Sequence, residues 1–258
     1  MRPFNACMPA GASSDRVLAQ AASRPSANNG IHLGVMRSPA SRRDVGYAAR
    51  PTPAPQWPKV IRPEFRPIMQ TDLQADGFDP ARIEQDVRRW LERAVIGLNL
   101  CPFAKAVYIK GQVRIVVSDA STERALLEQL GEEMALLRDT AADDIDTTLL
   151  VHPQVLQDFL DYNDFLDDAD ALVEAMELDG MLQVASFHPH YQFAGTEPED
   201  AENLTNRAPW PILHLLREDS VDRAVAAYSE PDSIIERNVA TMRELGSEGF
   251  RKLLSDQP

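Results

Sequence analysis

The stretch Asp146–His190, DTTLLVHPQVLQDFLDYNDFLDDADALVEAMELDGMLQVASFHPH, decides the fold class. It begins with threonines and aliphatic residues up to His152, which is typical of a buried strand. Apolar residues then recur at alternating steps of four and three from Val155 to Met176, which predicts an amphipathic helix. A second segment of strand character, Met181–His188, follows. A strand, a helix and a strand in this order indicate a βαβ unit.

The flanking segments extend this pattern in both directions. The other predicted elements are a helix opened by Asp79 and Pro80 and ended by Gly97, a strand at Val113–Asp119, a helix capped by Ser121, a strand at Pro211–Arg217, and helices at 220–228 and 232–245. We interpret residues 97–111 as a turn and an irregular connection. Helical crossovers join parallel strands. The sequence therefore predicts one α/β domain over residues 79–250, with about four mostly parallel strands and helices packed on the sheet.

The N-terminal quarter of the chain differs sharply in charge from this domain. Residues 1–66 contain ten Lys and Arg against three acids, a net charge of +7, which leaves −21 for the remainder of a chain whose total is −14. Residues 1–70 are also rich in proline, alanine and serine, and they lack a sustained apolar period. Such a segment buries too little surface to offset its ordering entropy, so we predict a disordered extension. The acidic domain is an unsuitable partner for nucleic acid.

Histidines end two of the predicted strands. His152 follows the strand at 146–152, and His188 and His190 follow the strand at 181–188, with a proline after each strand. Proline cannot continue a ladder, so the imidazoles belong at strand exits. Open α/β sheets bind ligands at the carboxyl ends of their strands. The sequence therefore predicts a site formed by His152, His188 and His190.

Three roles for these histidines stay open. Imidazoles with a carboxylate such as Asp119 can hold a divalent metal, so His152, His188, His190 and Asp119 are the metal candidates. General acid–base catalysis without metal is the second role. The third is structural, with the rings hydrogen-bonded to backbone at the strand ends.

The long loop after His188 and the next strand supply candidate substrate contacts. Tyr191 suits a pocket wall, and Asn206 with Arg207 could hold a small anionic molecule, because a guanidinium binds carboxylate and phosphate. His214 and Arg217 are further candidates. They face opposite ways on a strand and share a face on a helix.

Cys101 is a separate catalytic candidate. Pro102 is suited to the start of a short helix with Cys101 as its cap, where a thiol gains acidity from the helix N-terminus. No second cysteine stands at the CxxC spacing of redox enzymes. The two cysteines of the chain, Cys7 and Cys101, do not make a disulfide framework, so we expect a reducing cytoplasm.

Four motifs of the chain resemble the uncharacterised bacterial proteins grouped as domain of unknown function 1415. They are VIGLNLCPFA, TTLLVHPQVLQDFLDYNDFLDDAD, LDGMLQVASFHPHYQFAGT and NRAPWPILHLLRE. The resemblance spans about Ile83 to Leu245 and implies one compact domain. It implies no activity and no catalytic residue.

The sequence favours a small-molecule enzyme of hydrolase or transferase type. A non-catalytic ligand-binding or protein-interaction module is the first alternative, and thiol chemistry at Cys101 is the second. We expect no membrane partner, because no run of residues has the length and apolarity of a bilayer span. The apolar stripe of the long helix is compatible with a homodimer.

Overall fold

The computed structural model describes residues 78–255, and the predicted extension at 1–70 lies outside the described residues. The elements are α1 (Pro80–Trp90), a π-helix (Leu91–Ile96), α2 (Ala104–Ile109), β1 (Val113–Val117), α3 (Glu123–Asp139), β2 (Thr147–Val151), α4 (Phe159–Ala175), β3 (Leu182–Phe187), a 3-10 helix (Ala201–Asn206), β4 (Ile212–Arg217), α5 (Glu218–Ala226) and α6 (Ser233–Leu254). Within this range no helix has the length and apolarity needed to cross a bilayer.

The four strands form one sheet in the order β1-β2-β4-β3. β1 and β2 pair in parallel, whereas β4 runs antiparallel to both β2 and β3. The α/β class and the four strands are confirmed, but the expected mostly parallel pairing is wrong, because one pair of neighbouring strands is parallel and two are antiparallel. β1, β2 and β3 share one direction, but β2 and β3 are not neighbours as expected, because β4 lies between them. The connection from β3 to β4 contains no crossover α-helix, and such a return favours antiparallel pairing. The carboxyl ends of β2 and β3 still lie at one edge, on either side of the start of β4.

Each face of the sheet is covered by its own helices and core. On the first face, α3 and α4 pack against alternate strand residues such as Leu150 and Leu213. On the second face, α1, the π-helix and α6 cover Leu149, Val151 and Ile212. This alternation follows the period of two along a strand. A side chain of the central strands therefore belongs to one of two separate interiors.

Local sequence signals predicted the start of α1 correctly, whereas α3 and α4 begin one or more residues away from their predicted starts. The Asp79 carboxylate accepts the backbone N–H groups of Ala81 and Arg82, so the predicted N-cap of α1 is confirmed. The N-cap of α3 is Thr122 and not Ser121. Helix α4 begins at Phe159 and not at Val155, because Asp158 is its N-cap and the left-handed backbone of Leu156 cannot belong to a right-handed helix.

The segment predicted as irregular, residues 97–111, contains helix α2, and the π-helix leads directly into it. Leu100 donates its N–H to the carbonyl oxygen of Val95, five residues back, where the π-helix ends. A side chain at Gly97 would collide with the carbonyl oxygen of Arg93, so only glycine fits this tight exit. The apolar period of α1 runs on through the π-helix, and α2 is too short to show a period of its own.

Candidate functional site

The structure brings the three predicted histidines together at one edge of the sheet, around the ring of Tyr162 in α4. The ring centroids of His152 and His188 lie 5.6 Å and 5.1 Å from that of Tyr162, and His190 lies 5.8 Å from His188. Phe159 contacts His188 at 5.5 Å. The shared direction of β2 and β3 produces this meeting, although the two strands are not neighbours.

Two consecutive backbone carbonyl groups bind the buried imidazoles. His152 directs Nδ1 at the carbonyl oxygen of Val155 at 3.0 Å, and His188 directs Nε2 at that of Leu156 at 3.3 Å. The other ring nitrogen of His188 accepts the backbone N–H of His190 at 3.1 Å. Leu156 has φ of 58°, a left-handed conformation that is costly for a branched side chain. The two rings therefore hold a strained turn in place.

Burial keeps both imidazoles uncharged at neutral pH. His152 and His188 have 0% exposure. Desolvation lowers the pKa of His152 to about 4, and desolvation together with the charge of His190 lowers the pKa of His188 to about 3. The Nε2 atom of His152 is the one ring nitrogen of this buried pair without a hydrogen-bond partner in residues 78–255. These contacts match the structural role more closely than acid–base catalysis.

The metal candidates do not form a ligand set. His190 is exposed, His188 uses both ring nitrogens in hydrogen bonds to backbone, and Asp119 is an exposed residue of the loop after β1. Over the described range, no group of three or more His, Cys, Asp or Glu side chains is arranged to hold a metal ion.

The predicted anion contacts of the long loop bind the loop itself. Arg207 donates from Nε to the carbonyl oxygen of Tyr191 at 3.2 Å and from Nη2 to that of Pro198 at 2.6 Å. Asn206 is buried and donates to the carbonyl oxygen of Ser186. The ring of Tyr191 packs against Phe159 at 5.1 Å. Binding of a small anion by these residues stays a prediction, and their present contacts order the loop.

Replacing Arg207 with Met should loosen the loop while keeping the aliphatic part of the side chain. We expect the amides of residues 191–198 to exchange about tenfold faster in hydrogen-exchange measurements. The free energy of unfolding should fall by about 2 kcal/mol, because hydrogen bonds from a charged donor typically contribute about 1.5–3 kcal/mol. Arg243→Met is the matched control, since Arg243 makes an exposed ion pair with Glu202. Unchanged exchange in Arg207→Met would contradict this role.

His214 and Arg217 lie on β4 and face opposite sides of the sheet, as expected for a strand. Arg217 donates from Nη2 to the carbonyl oxygens of Leu137 and Thr140 at the end of α3.

His214 lies on the second face, where Nε2 is 2.7 Å from the hydroxyl oxygen of Thr147. That hydroxyl donates to the carbonyl oxygen of Leu215 at 2.6 Å, so it accepts from His214. The Nδ1 atom of His214 is buried, with no partner in the described part of the chain.

A cavity of about 410 Å³, which we call the sheet cavity, lies on this second face. Its floor contains one to three residues of each strand, and its walls come from the end of α1, the π-helix, α2, α5 and α6. The lining is mainly apolar and includes Trp90, Val95, Phe103, Tyr108, Val113, Leu149, Phe187, His214, Leu216 and Tyr228. Cavities of 300–1,000 Å³ with apolar walls and a few polar groups are typical of small-molecule sites.

Cys101 lines the sheet cavity, and the strand-end histidines are not part of that lining. It is not the cap of α2, because that helix begins at Ala104 and its N-cap is Phe103. There is no free cysteine among residues 78–255. Thiol chemistry at Cys101 would require a free thiol, and it stays a prediction.

Sequence patterns did not reveal the sheet cavity, because its lining comes from segments more than 100 residues apart. Thr147 and Asp146 resemble ordinary strand-entry residues, and Asn238 resembles an ordinary polar position of a helix. Tyr162 did carry a signal, since a tyrosine in an apolar helix stripe needs a partner for its buried hydroxyl group.

Comparison with known proteins supports the resemblance noted in the sequence. No curated protein and no solved structure matches the chain. The family described as "Protein of unknown function (DUF1415)" matches residues 82–252, from α1 to the last turns of α6. Because this match covers well over half of the chain, the protein belongs to the DUF1415 family.

Proposed function

We propose that the domain binds a small organic molecule with an apolar body in the sheet cavity. The observation that carries this proposal is the cavity itself, about 410 Å³ of mainly apolar lining set across all four strands. Burying apolar ligand surface there contributes about 25 cal/mol per Å² removed from water. Ligand binding was the first alternative to enzymatic activity predicted from the sequence, with its site at the strand ends. The site proposed here is instead the cavity on the second face of the sheet.

The two short helices beside the cavity offer a route for entry. α2 and α5 contain no fully buried residue, and they line the cavity through small side chains such as Ala104, Ala106 and Ala224. Elements with few buried contacts open locally at low free-energy cost. A ligand can therefore enter by displacing one of these helices without disturbing the sheet.

Enzymatic activity of hydrolase or transferase type stays the second candidate. The observation in its favour is the unpartnered Nε2 of His152. The burial of that ring and its low pKa are unfavourable for proton transfer at neutral pH.

The cytoplasmic location and the homodimer expected from the sequence also stay predictions.

A fluorescent apolar probe tests the binding proposal. N-phenyl-1-naphthylamine should fluoresce more strongly with the full-length protein, and its affinity should fall at least about tenfold in Ala224→Phe, whose ring would occupy part of the cavity. Ala226→Phe is the matched control, because Ala226 is exposed on the same helix and does not line the cavity.

The control variant should bind the probe as the unaltered protein does. Equal affinity of both variants would place the probe elsewhere and contradict the proposal. So would an absence of fluorescence enhancement with the unaltered protein.

A further inference from the structure

We propose that the ligand of the sheet cavity carries a hydrogen-bond donor, a hydroxyl or an ammonium group, that meets His214 and Asp146. This inference rests on the proposed function and names the chemical class of the ligand. It follows from which donors and acceptors around the cavity are already paired.

His214 presents an acceptor because Thr147 determines its tautomer. The Thr147 hydroxyl proton is used by the carbonyl oxygen of Leu215, so the proton between Thr147 and His214 belongs to Nε2 of the imidazole. A neutral ring protonated at Nε2 has a lone pair at Nδ1. That atom is buried and finds no partner among residues 78–255. A ligand donor that reaches it would replace an unsatisfied acceptor with a hydrogen bond.

Two further side chains at the cavity retain acceptor capacity. Asp146 accepts the Ser220 hydroxyl group through Oδ1 at 2.6 Å, and no contact within the described range pairs its second oxygen. Asn238 donates from Nδ2 to the carbonyl oxygen of Leu100 at 2.7 Å, and its Oδ1 makes no hydrogen bond to residues 78–255. Arg223 donates to the Ser220 oxygen, which places a positive charge close to Asp146. The ligand group is therefore defined by hydrogen-bond donation, and both neutral and cationic donors qualify.

The donors around the cavity are, in contrast, largely paired. Trp90 donates to the carbonyl oxygen of Arg207, Tyr108 to Glu92, and Thr205 to the carbonyl oxygen of Glu202. The guanidinium group of Arg217 is directed at carbonyl groups on the other face of the sheet.

Tyr228 is the exception among these donors. Its hydroxyl oxygen accepts from Arg237, and no contact in the described region uses its proton. A carboxylate ligand would thus meet more acceptors than free donors.

Four probes of similar size test this inference by calorimetric titration of the full-length protein at pH 7. They are ethylbenzene, 2-phenylethanol, 2-phenylethylamine and phenylacetate. We expect 2-phenylethanol, 2-phenylethylamine or both to bind about tenfold more tightly than ethylbenzene, and phenylacetate to bind most weakly. His214→Phe should remove the advantage of the alcohol over ethylbenzene. Asp146→Asn should weaken the amine and leave the alcohol unchanged, which separates the two acceptors.

The outcomes that oppose the inference differ from those that oppose cavity binding. Equal affinities for ethylbenzene, the alcohol and the amine would overturn the donor requirement and leave the binding proposal standing. Tightest binding of phenylacetate would overturn it in favour of an anionic ligand. If no probe binds, the cavity-binding proposal fails and the inference fails with it. The comparison of probes on the unaltered protein decides these cases even if a variant does not fold.

Discussion

Lowering the pH from 7 to 5 should reduce the free energy of unfolding by about 4 kcal/mol through His152 and His188 alone. His152 and His188 are fully buried, and their pKa values are lowered to about 4 and about 3 from an ordinary 6.5. At pH 5 the unfolded chain protonates both imidazoles, whereas the folded domain keeps them neutral. Each such histidine then costs about 2 kcal/mol by linkage.

The sign of this effect follows from which state binds more protons. Below pH 6.5 the unfolded state takes up protons that the folded state excludes, so stability falls with pH. The loss continues until the pH reaches the folded pKa values of about 4 and 3, where the folded domain also protonates. Well above pH 6.5 neither the folded nor the unfolded state protonates these histidines, so they no longer make the stability depend on pH. His214, with a pKa lowered to about 4 by burial, changes stability in the same direction.

Urea denaturation at pH 7, 6 and 5 measures this dependence. Removing one titrating imidazole, as in His152→Phe, should flatten the slope of stability against pH between pH 6 and 5. Leu130→Ala is the control, because it removes a fully buried side chain that does not titrate and should lower the stability without changing its slope against pH. Equal stability of the unaltered protein at pH 7 and pH 5 would mean that water reaches the buried rings.

Replacing Tyr162 with Phe should destabilise the domain by about 2 kcal/mol. The Tyr162 hydroxyl group donates to the carbonyl oxygen of Ile212 at 2.8 Å and accepts the backbone N–H of Phe187 at 3.2 Å. Phe187 and Ile212 are opposite each other at the end of the β3–β4 ladder. Loss of the hydroxyl group removes these two buried hydrogen bonds, and each typically contributes about 0.5–1.5 kcal/mol.

The change can be measured by urea or thermal unfolding at pH 7, with Tyr108→Phe as the matched control. The Tyr108 hydroxyl group bonds to Glu92 near the surface, so its loss should cost less than about 1 kcal/mol. If both variants lose the same small amount, the Tyr162 hydroxyl group does not bridge the two strands as described.

The strand-end cluster of His152, His188 and Tyr162 is therefore a structural centre of the domain. Two histidines and one tyrosine join β2, β3, β4 and α4, and their polar atoms mostly bind backbone groups. The sheet cavity differs in this respect. It combines apolar walls with unpaired acceptors at His214, Asp146 and Asn238, which is the combination expected where a ligand binds.

The α/β class, the four strands and the histidines at the exits of β2 and β3 can all be predicted from the sequence. These features depend on local patterns: a period of two or of 3.6 residues, and a proline that ends a strand. The meeting of His152 with His188 was also predictable, because βαβ crossovers give both strands one direction. The strand order was not predictable, because both a parallel and an antiparallel return after the long loop satisfy the same local pattern.

The roles of the polar residues depend on how the chain packs in three dimensions. Burial lowered the pKa values of His152 and His188 and placed their nitrogens against the carbonyl groups of a turn, which no spacing indicates. Arg207 was recognisable as an anion-binding residue type, yet its donors bind the carbonyl groups of its own loop. The sheet cavity exists only when α1, α2, α5 and α6 close over the second face. Hydrogen-bond partners and cavities depend on which distant surfaces pack together, and this information is not contained in any single segment of the chain.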